Sequence, residues 1–188
     1  MSAELHSALH RYNMEVSAAT AYFHTWWGLT NTSLLDHYAT MSDYRHVDFF
    51  HTAHAGFLAL TFVSLAKLFD SDGRALGIRN IRTLLTESGF GTEAAELEDC
   101  FKPYSDLVRR ILQIRNRSEA HNEAELSRDD VYRLYGVAPD EIRELITAVR
   151  NGMNSLASKF QVPTRISDGQ RNENAVSALM EMLQRGRR

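Results

Sequence analysis

The sequence predicts an all-α protein, and three observations lead to that prediction. Glycine and proline are scarce, with 10 and 3 residues in a chain of 188, so few positions interrupt a helix. Apolar residues recur at spacings of three and four along most of the chain, which is the helical period. No segment shows the alternation of apolar and polar residues that is typical of a half-buried strand.

The first predicted helix covers about residues 3–27. Its apolar and aromatic side chains, from Leu5 to Trp27, fall on one face, as they do in a helix that packs against a core. Gly28 is expected to end this helix, because glycine is the usual residue after a helix C-terminus. A short helical piece is then expected at about 33–41.

A second long helix is predicted to start at a cap formed by Ser42 or Asp43 and to run to about Phe69. Its second half is apolar over most of its circumference, so we expect that half to be central in the core. A turn of small and acidic residues at 70–73 separates it from a shorter helix, which is expected to stop near Gly89.

Two prolines mark the predicted helices of the second half. Pro103 should kink a helix that opens at Thr92, because proline removes a backbone donor and crowds the preceding turn. Pro139 should lie in the first turn of a helix that runs to about Phe160, a position that tolerates proline. A short helix capped by residues 127–130 is expected between them.

The length and the 44% hydrophobic content favour one domain with a sizeable core. We expect that helical domain over residues 1–162, followed by a linker and C-terminal helix over 163–188. The last helix, at about 170–185, is expected to be a tail, a cap or an element that contacts a partner.

The sequence predicts a cytoplasmic protein without membrane association. The N-terminal stretch is polar, and no run of 18 apolar residues occurs, so neither a signal peptide nor a membrane span is expected. The single cysteine, Cys100, rules out an internal disulfide framework and a cysteine-based zinc site. It lies on an apolar helical face, which predicts a small buried residue.

The charge balance disfavours binding to duplex DNA. The net charge is −3, whereas proteins that hold a duplex over a broad surface need many basic contacts to phosphates. Of the 21 basic residues, only three are lysines, and arginine is the better group for bidentate contact with phosphate. A small basic site is therefore still compatible with the composition.

The stretch IRNRSEAHN, residues 114–122, contains an arginine, a polar residue, four further residues and a histidine. Roughly 0.3 chance matches to so loose a pattern are expected in a chain like this, and Arg45 to His51 is a second match. The second match lies within a predicted regular helix, which favours core-edge positions for His51 and His54. In the first match, by contrast, apolar periodicity stops after Ile114.

Helical geometry limits what the first match can do alone. Six residues of regular helix put Arg115 and His121 about 120° apart around the axis and about 9 Å apart along it. Either the helix breaks near Ser118, or a second protomer completes the site. Histidine can transfer protons near neutral pH and arginine can stabilise a phosphorane-like anion. This pair suits RNA cleavage through the RNA's own 2′-hydroxyl, without a metal or cofactor.

The segment IRNRSEAHN resembles the Arg-polar-x4-His signature of HEPN domains, in which the polar residue is typically Asn, Asp or His and is here Asn116. Residues 58–85, LALTFVSLAKLFDSDGRALGIRNIRTLL, are similar to the abortive-infection AbiU-type branch, in which a long helix ends in an LFD-like segment followed by a short helix. The resemblance covers about residues 5–160.

This resemblance implies an up-and-down helical bundle, here with extra C-terminal helices, that forms a symmetric homodimer. It also implies a metal-independent endoribonuclease that acts as a toxin or phage-defence effector and that could have a cognate antitoxin. Carried over residue by residue, Arg115 would contact the scissile phosphate, Asn116 would orient the phosphate or the histidine, and His121 would be the general acid or base. Further RNA-binding residues are predicted at Arg110, Arg117 and Asn122.

Other functions stay open from the sequence alone. A non-catalytic helical dimer could use the same residues to bind nucleotide, RNA or a protein. A metal-dependent bundle is suggested by four nearby histidines, two of them, His51 and His54, three residues apart, but no Glu-x-x-His pair completes a two-metal site. Arg109 and Arg110 could extend a phosphate groove, but pairing with acids such as Glu98 or Asp106 is favoured.

Overall fold

The computed structural model describes residues 2–30, 35–72, 75–119 and 135–186, and all regular structure within those ranges is helical. The predicted all-α fold class is therefore confirmed. A 3₁₀ turn (Lys102–Tyr104) joins α5 to α6, and a π-helical turn (Arg115–Glu119) follows α6 directly. The helices are α1 (Ala3–Thr30), α2 (Leu35–Met41), α3 (Val47–Leu68), α4 (Ile78–Glu87), α5 (Gly91–Phe101), α6 (Ser105–Ile114), α7 (Pro139–Phe160) and α8 (Gln170–Arg185).

The chain forms two compact units. The first contains Met1–Ala19 and Phe62–Ile166, and the second contains Thr20–Thr61 and Ser167–Arg188. The C-terminal helix α8 thus belongs to a unit together with residues from the first third of the chain. The expected division into a domain of residues 1–162 and a C-terminal segment of 163–188 stays a prediction.

The first unit is built around the second half of α3, as its apolar composition predicts. Leu65, Ala66 and Leu68 have 0–1% of their surface exposed. Tyr12 of α1 is also fully buried, and its hydroxyl donates a hydrogen bond to the Leu68 carbonyl at 3.1 Å. Burial raises the pKa of the Tyr12 hydroxyl, so it stays a donor. Other helices contribute the buried residues Leu5, Leu9, Ile81, Leu85, Ile111, Ile114, Leu145, Val149 and Met153.

The second unit has a small core that includes Leu29, Phe50, Val176 and Met180. The prediction that Gly28 ends the first helix is wrong, because α1 continues to Thr30. A Cβ atom at Gly28 would lie 3.2 Å from the Cβ of Val176 in α8. The glycine therefore permits close helix packing and is not a helix terminator, a role that depends on a distant segment of the chain.

Most predicted helix ends agree with the structure. Pro103 lies in the turn between α5 and α6, Pro139 opens α7, and α8 spans Gln170–Arg185. The second long helix begins at Val47, later than the predicted cap, because residues 42–46 form turns. The prediction that Cys100 is buried is wrong, since its side chain is exposed. The expected short helix near 127–130 lies outside the described residues.

By length and composition alone, α3 is apolar enough to cross a bilayer, and one third of its most apolar window is buried. A core helix of a soluble protein has the same composition, and the buried second half of α3 behaves as such a helix in the first unit. The expected absence of membrane association stays a prediction.

Candidate functional site

The candidate site lies where α6 ends. Leu107, Ile111 and Ile114 form the buried face of α6, so the hydrophobic periodicity that defines the helix reaches its last residue. Arg115 is the next residue and begins the π-helical turn Arg115–Glu119. Single π-helical turns are rare and frequently occur at functional sites. The regular α-helix therefore does end before Ser118, which is one of the two arrangements that the sequence left open.

Arg115 is held by a residue from a distant part of the chain. Its Nη2 donates to Oδ2 of Asp70 at 3.1 Å, and 29% of each side chain is exposed. Asp70 is the last residue of the LFD segment, 45 positions earlier. The two stretches that carry the sequence resemblance, LFD and Arg-Asn-x4-His, are thus in direct contact through a charge-assisted hydrogen bond.

The Asp70 side chain and backbone are fixed from several sides. The backbone N–H of Asp72 donates to Oδ1 of Asp70 at 3.0 Å, which closes a local turn. Two residues earlier, the carbonyl of Leu68 accepts a hydrogen bond from the buried hydroxyl of Tyr12. A Cβ atom at Gly77 would lie 2.3 Å from the Asp70 carbonyl oxygen, so only glycine fits there. These contacts order the carboxylate that holds Arg115.

Arg110 connects α6 to the start of α7. Its Nη2 donates to Oε1 of Glu141 at 2.6 Å, its Nη1 to the Gly136 carbonyl at 2.6 Å, and its Nε to Oδ2 of Asp106 at 3.0 Å. The hydrogen bond from Arg110 lowers the pKa of Glu141, and the hydrogen bond from Glu141 raises the pKa of Arg110. With 19% of its side chain exposed, Arg110 is mostly committed to these protein partners.

Arg109 also pairs with an acid, its Nη2 donating to Asp106 at 2.6 Å. This hydrogen bond is the main cause that lowers the pKa of Asp106. The sequence favoured pairing of Arg109 and Arg110 with acids over a phosphate groove. For Asp106 this pairing is confirmed, because both arginines donate to its carboxylate. Glu98, however, pairs with Arg82 of α4. The predicted RNA-binding role of Arg110 is not tested by these contacts and stays a prediction.

The remaining predicted site residues fall into two groups. Asn116 is exposed, and the guanidinium carbon of Arg117 lies 5.6 Å from the ring centre of Tyr135, within the range of a cation–π interaction. His121 and Asn122 lie outside the described residues. The structure therefore joins Arg115 to Asp70 and Arg117 to Tyr135, and it says nothing of the histidine.

The second arginine-histidine match has different surroundings. Arg45 pairs only two residues away, with Nη2 donating to Oδ2 of Asp43 at 2.9 Å and Nε to Oδ1 at 3.0 Å. His51 is exposed, so its expected core-edge position is wrong. His54 is half-buried, as expected, and its Nε2 hydrogen bonds with Oγ1 of Thr30 at 3.0 Å. Burial, followed by the nearby His51, lowers the pKa of His54.

The histidine-rich region from His37 to His54 is the metal-site candidate of the sequence. Within residues 2–30, 35–72, 75–119 and 135–186, no group of three or more His, Cys, Asp or Glu side chains is arranged to hold a metal ion. The expectation of a site without metal or cofactor stays a prediction, because it concerns the reaction and not these side chains alone.

Sequence reasoning missed Asp70 as a site residue. The LFD segment was identified as part of the resemblance, but nothing in the sequence indicates that its carboxylate reaches Arg115. That contact requires the end of α3 to lie beside the end of α6. An ion pair between residues 45 positions apart depends on tertiary packing, and the residues near Asp70 in the sequence give no sign of it.

A protein-family model matches most of the chain. The model HEPN_AbiU2, described as AbiU2, matches residues 4–178. Searches of curated proteins and of solved structures returned no match.

Proposed function

Because the chain belongs to the AbiU2 family of HEPN domains, a family of abortive-infection type, we propose that it is a metal-independent endoribonuclease that acts in phage defence. The observation that carries the proposal is the contact between Arg115 and Asp70. It joins the two segments that resemble the family and gives the arginine of the motif a fixed, partly exposed position.

In the proposed reaction, the 2′-oxygen of the RNA attacks the adjacent phosphorus and the 5′-oxygen of the next nucleotide leaves. His121 takes the 2′-hydroxyl proton or supplies a proton to the leaving oxygen, and Arg115 stabilises the charge that develops on the phosphate. Asn116 orients the phosphate or the histidine. The products carry a 2′,3′-cyclic phosphate and a 5′-hydroxyl, and no protein nucleophile is consumed.

Asp70 supports this reaction as a positioning residue. A guanidinium has five N–H donors, and one contact with Asp70 leaves donors of Arg115 for phosphate oxygens. Holding the group in place before RNA binds reduces the conformational entropy that is lost on binding. With 29% of its surface exposed, the Arg115 side chain is accessible to a ligand.

The proposal includes a homodimer in the cytoplasm. Arg115 and His121 are six residues apart, and a second copy could bring an arginine of one chain to a histidine of the other. In such a composite site, the scissile phosphate would lie near two copies of His121, one for each proton transfer. RNA is an abundant cytoplasmic substrate, and a cognate antitoxin would be needed to restrain such an activity in the absence of phage.

A second candidate is a non-catalytic helical dimer that binds nucleotide, RNA or a protein partner. One observation favours it: Arg110 already pairs with Glu141 and Asp106, and Arg117 lies over Tyr135. These contacts leave fewer cations for RNA than the motif alone suggests. In this case Arg115 would contribute to affinity without turnover.

The test is cleavage of single-stranded RNA by untagged protein in the presence of EDTA. Wild type, Arg115→Ala and His121→Ala are compared with Arg45→Ala and His51→Ala, the matched pair from the second motif. We expect cyclic-phosphate ends from wild type and from the second pair only. If folded Arg115→Ala and His121→Ala cut as fast as wild type, the assignment is wrong. If wild type binds RNA but never cuts it, the second candidate is correct.

A further inference from the structure

The second unit leaves more of its large apolar side chains in contact with solvent than the first unit does. Eight such side chains are exposed among the residues that the structure describes, and only Met14 belongs to the first unit. The other seven are Tyr38, Tyr44, Val47, Phe49, Leu60, Leu179 and Met182. Single exposed apolar side chains are common in soluble proteins, whereas a continuous group of them marks a surface that another molecule covers.

On α8 the exposed apolar side chains form a continuous group, which we call the α8 stripe. It consists of Ala175, Ala178, Leu179 and Met182, all of them exposed. Spacings of three and four residues place the four side chains within about 100° of the helix circumference. Val176 and Met180 pack in the core of the second unit, on a face about 120° away around the same axis. The helix is therefore apolar on two sides, and the described residues cover only one of them.

The order of small and large side chains along the α8 stripe fits a second α8 that runs in the opposite direction. The two alanines lie toward the N-terminus of the helix, and the two large side chains lie toward its C-terminus. A twofold axis between positions 178 and 179 puts Met182 of each copy opposite Ala175 of the other, and Leu179 opposite Ala178. Each large side chain then meets a small one, as in well-packed helix pairs. A parallel pair would instead put every residue opposite its own copy and leave gaps between the alanines.

The charged residues at the two ends of α8 also fit an antiparallel pair. Asp168 and Arg171 are exposed at the N-terminal end, and Arg185 donates from Nη2 to Oε2 of Glu181 at 3.3 Å at the C-terminal end. In the antiparallel pair, the N-terminal end of one helix meets the C-terminal end of the other, so two acids and two arginines balance at each end of the contact. Arg171 also lies beside the C-terminus of the other α8, where the helix dipole favours a cation.

We propose that the α8 stripe binds the α8 stripe of a second copy of this chain, with the two helices antiparallel and Met182 of each copy packed against Ala175 of the other. Such a contact is isologous, because both copies use the same surface. The inference deepens the proposed function and rests on it for the expectation of a homodimer. Leu179 and Met182 lie beyond the residues that match the family model, so the contact is read from this helix and not from the family. Four side chains per copy bury less than the roughly 800 Å² per partner of a standard interface, so we expect a dissociation constant in the micromolar range.

The first test measures the oligomeric state of the full chain by sedimentation velocity at about 1–300 µM. Wild type should change from one copy to two across this range. Met182→Lys should weaken association at least about tenfold, because it puts a charge into the apolar contact. Ser177→Lys, on the exposed polar side of α8, should associate as wild type does, and circular dichroism checks that each variant is folded. A wild type that stays a single copy at every concentration, or a Met182→Lys protein that associates as tightly as wild type, overturns the proposal.

The second test mixes two variants to examine which residues face each other. Ala175→Glu alone should weaken association, as Met182→Lys does. In a mixed pair of the two variants, the new acid faces the new cation at one position and the native residues meet at the other, so the mixture should associate more tightly than either variant alone. The control mixture of Ser177→Glu with Met182→Lys should associate no more tightly than Ser177→Glu does by itself. A mixture of Ala175→Glu and Met182→Lys that is no tighter than its components overturns the proposed pairing.

RNA cleavage by the same proteins separates this inference from the proposed function. Association that Met182→Lys weakens, in a protein that never cuts RNA, supports the α8 contact and contradicts the ribonuclease. Cleavage of RNA by a protein whose association is unchanged in both α8 variants contradicts the α8 contact and keeps the ribonuclease.

Discussion

Arg45 and Arg115 each precede a histidine by six residues, but they are held in different ways. Arg45 pairs with Asp43, two residues away, and about half of its side chain is exposed. Arg115 pairs with Asp70, 45 residues away, and less than a third of its side chain is exposed. The first arrangement needs only a local turn, whereas the second requires two segments that are 45 residues apart in the chain to meet.

The comparison indicates that the ion-pair partner of the arginine distinguishes the two motif matches better than the spacing between arginine and histidine does. A surface ion pair within one turn contributes little to stability and constrains the rest of the fold weakly. A pair between distant segments persists only if the core between them is packed correctly. We therefore expect function to depend on Arg115 and Asp70, and not on Arg45 and Asp43.

The largest expected difference is between Arg115→Ala and Arg45→Ala. Loss of a group that stabilises developing charge costs about 10²–10³ in rate, so Arg115→Ala should reduce RNA cleavage by that factor. Arg45→Ala should stay within about twofold of wild type, since its contact is local and exposed. Initial cleavage rates of a labelled single-stranded RNA measure both. Equal losses in the two variants would contradict the comparison.

A smaller effect is expected at the acids. Asp70→Asn keeps the shape of the side chain but weakens its hold on Arg115, and a small misplacement of a catalytic group can cost up to about 10²-fold in rate. We expect kcat to fall by about tenfold, with Asp70→Glu recovering part of it, while Asp43→Asn changes nothing measurable. Circular dichroism confirms that each variant is folded. An Asp70→Asn protein with full activity would show that the contact with Arg115 is only structural.

Two glycines extend the comparison to stability. Gly77→Ala would force a Cβ atom to 2.3 Å from the Asp70 carbonyl oxygen, and such overpacking costs about 1–3 kcal/mol. Gly56→Ala, on the helix that carries His51, meets nothing within 4 Å and should stabilise the protein by about 1 kcal/mol through helix propensity. Urea unfolding measures both free energies. A neutral Gly77→Ala would mean that the backbone at Asp70 adjusts easily.

The smallest expected effect concerns pH. The pKa of Glu141 in the folded protein is below its ordinary value, mainly because of the hydrogen bond from Arg110. Its ionised carboxylate therefore stabilises the folded state above the unfolded pKa of about 4.3. This stabilisation is lost as the pH falls through the lower pKa of the folded state. Glu141→Gln should cost up to about 1 kcal/mol at pH 7, because it removes the charge that pairs with Arg110 in a partly exposed position.

That difference between Glu141→Gln and wild type should shrink below about pH 4. Glu144→Gln, an exposed acid in the same helix, serves as the control and should be neutral at both pH values. Thermal unfolding at pH 7 and pH 3.5 provides the measurement. A loss of stability that is the same at both pH values would show that Glu141 acts through packing and not through its ion pair with Arg110.

Local signals explain what the sequence could predict of the fold. Pro103 and Pro139 act on their own turns, and the apolar spacing in α8 is complete within that helix, so their positions follow from nearby residues alone. The prediction for Gly28 is wrong because the position needs a glycine for close packing against Val176, nearly 150 positions later. Helix propensity carries no information about such a distant neighbour.

The candidate site divides in the same way. The end of the hydrophobic pattern at Ile114 locates Arg115 from sequence, since the buried face of α6 stops there. The partner Asp70 could not be predicted, because the contact requires the ends of α3 and α6 to meet. Likewise, the pairing of Arg110 with Glu141 depends on how the chain returns to α7.

The exposed position of Cys100 has a practical consequence. It is the single thiol in the chain, and it stands between Asp99 and Phe101. A maleimide dye or nitroxide label would therefore attach at one position only, without any substitution elsewhere. In a symmetric pair of copies, one nitroxide on each copy would give a copy-to-copy distance by pulsed electron spin resonance.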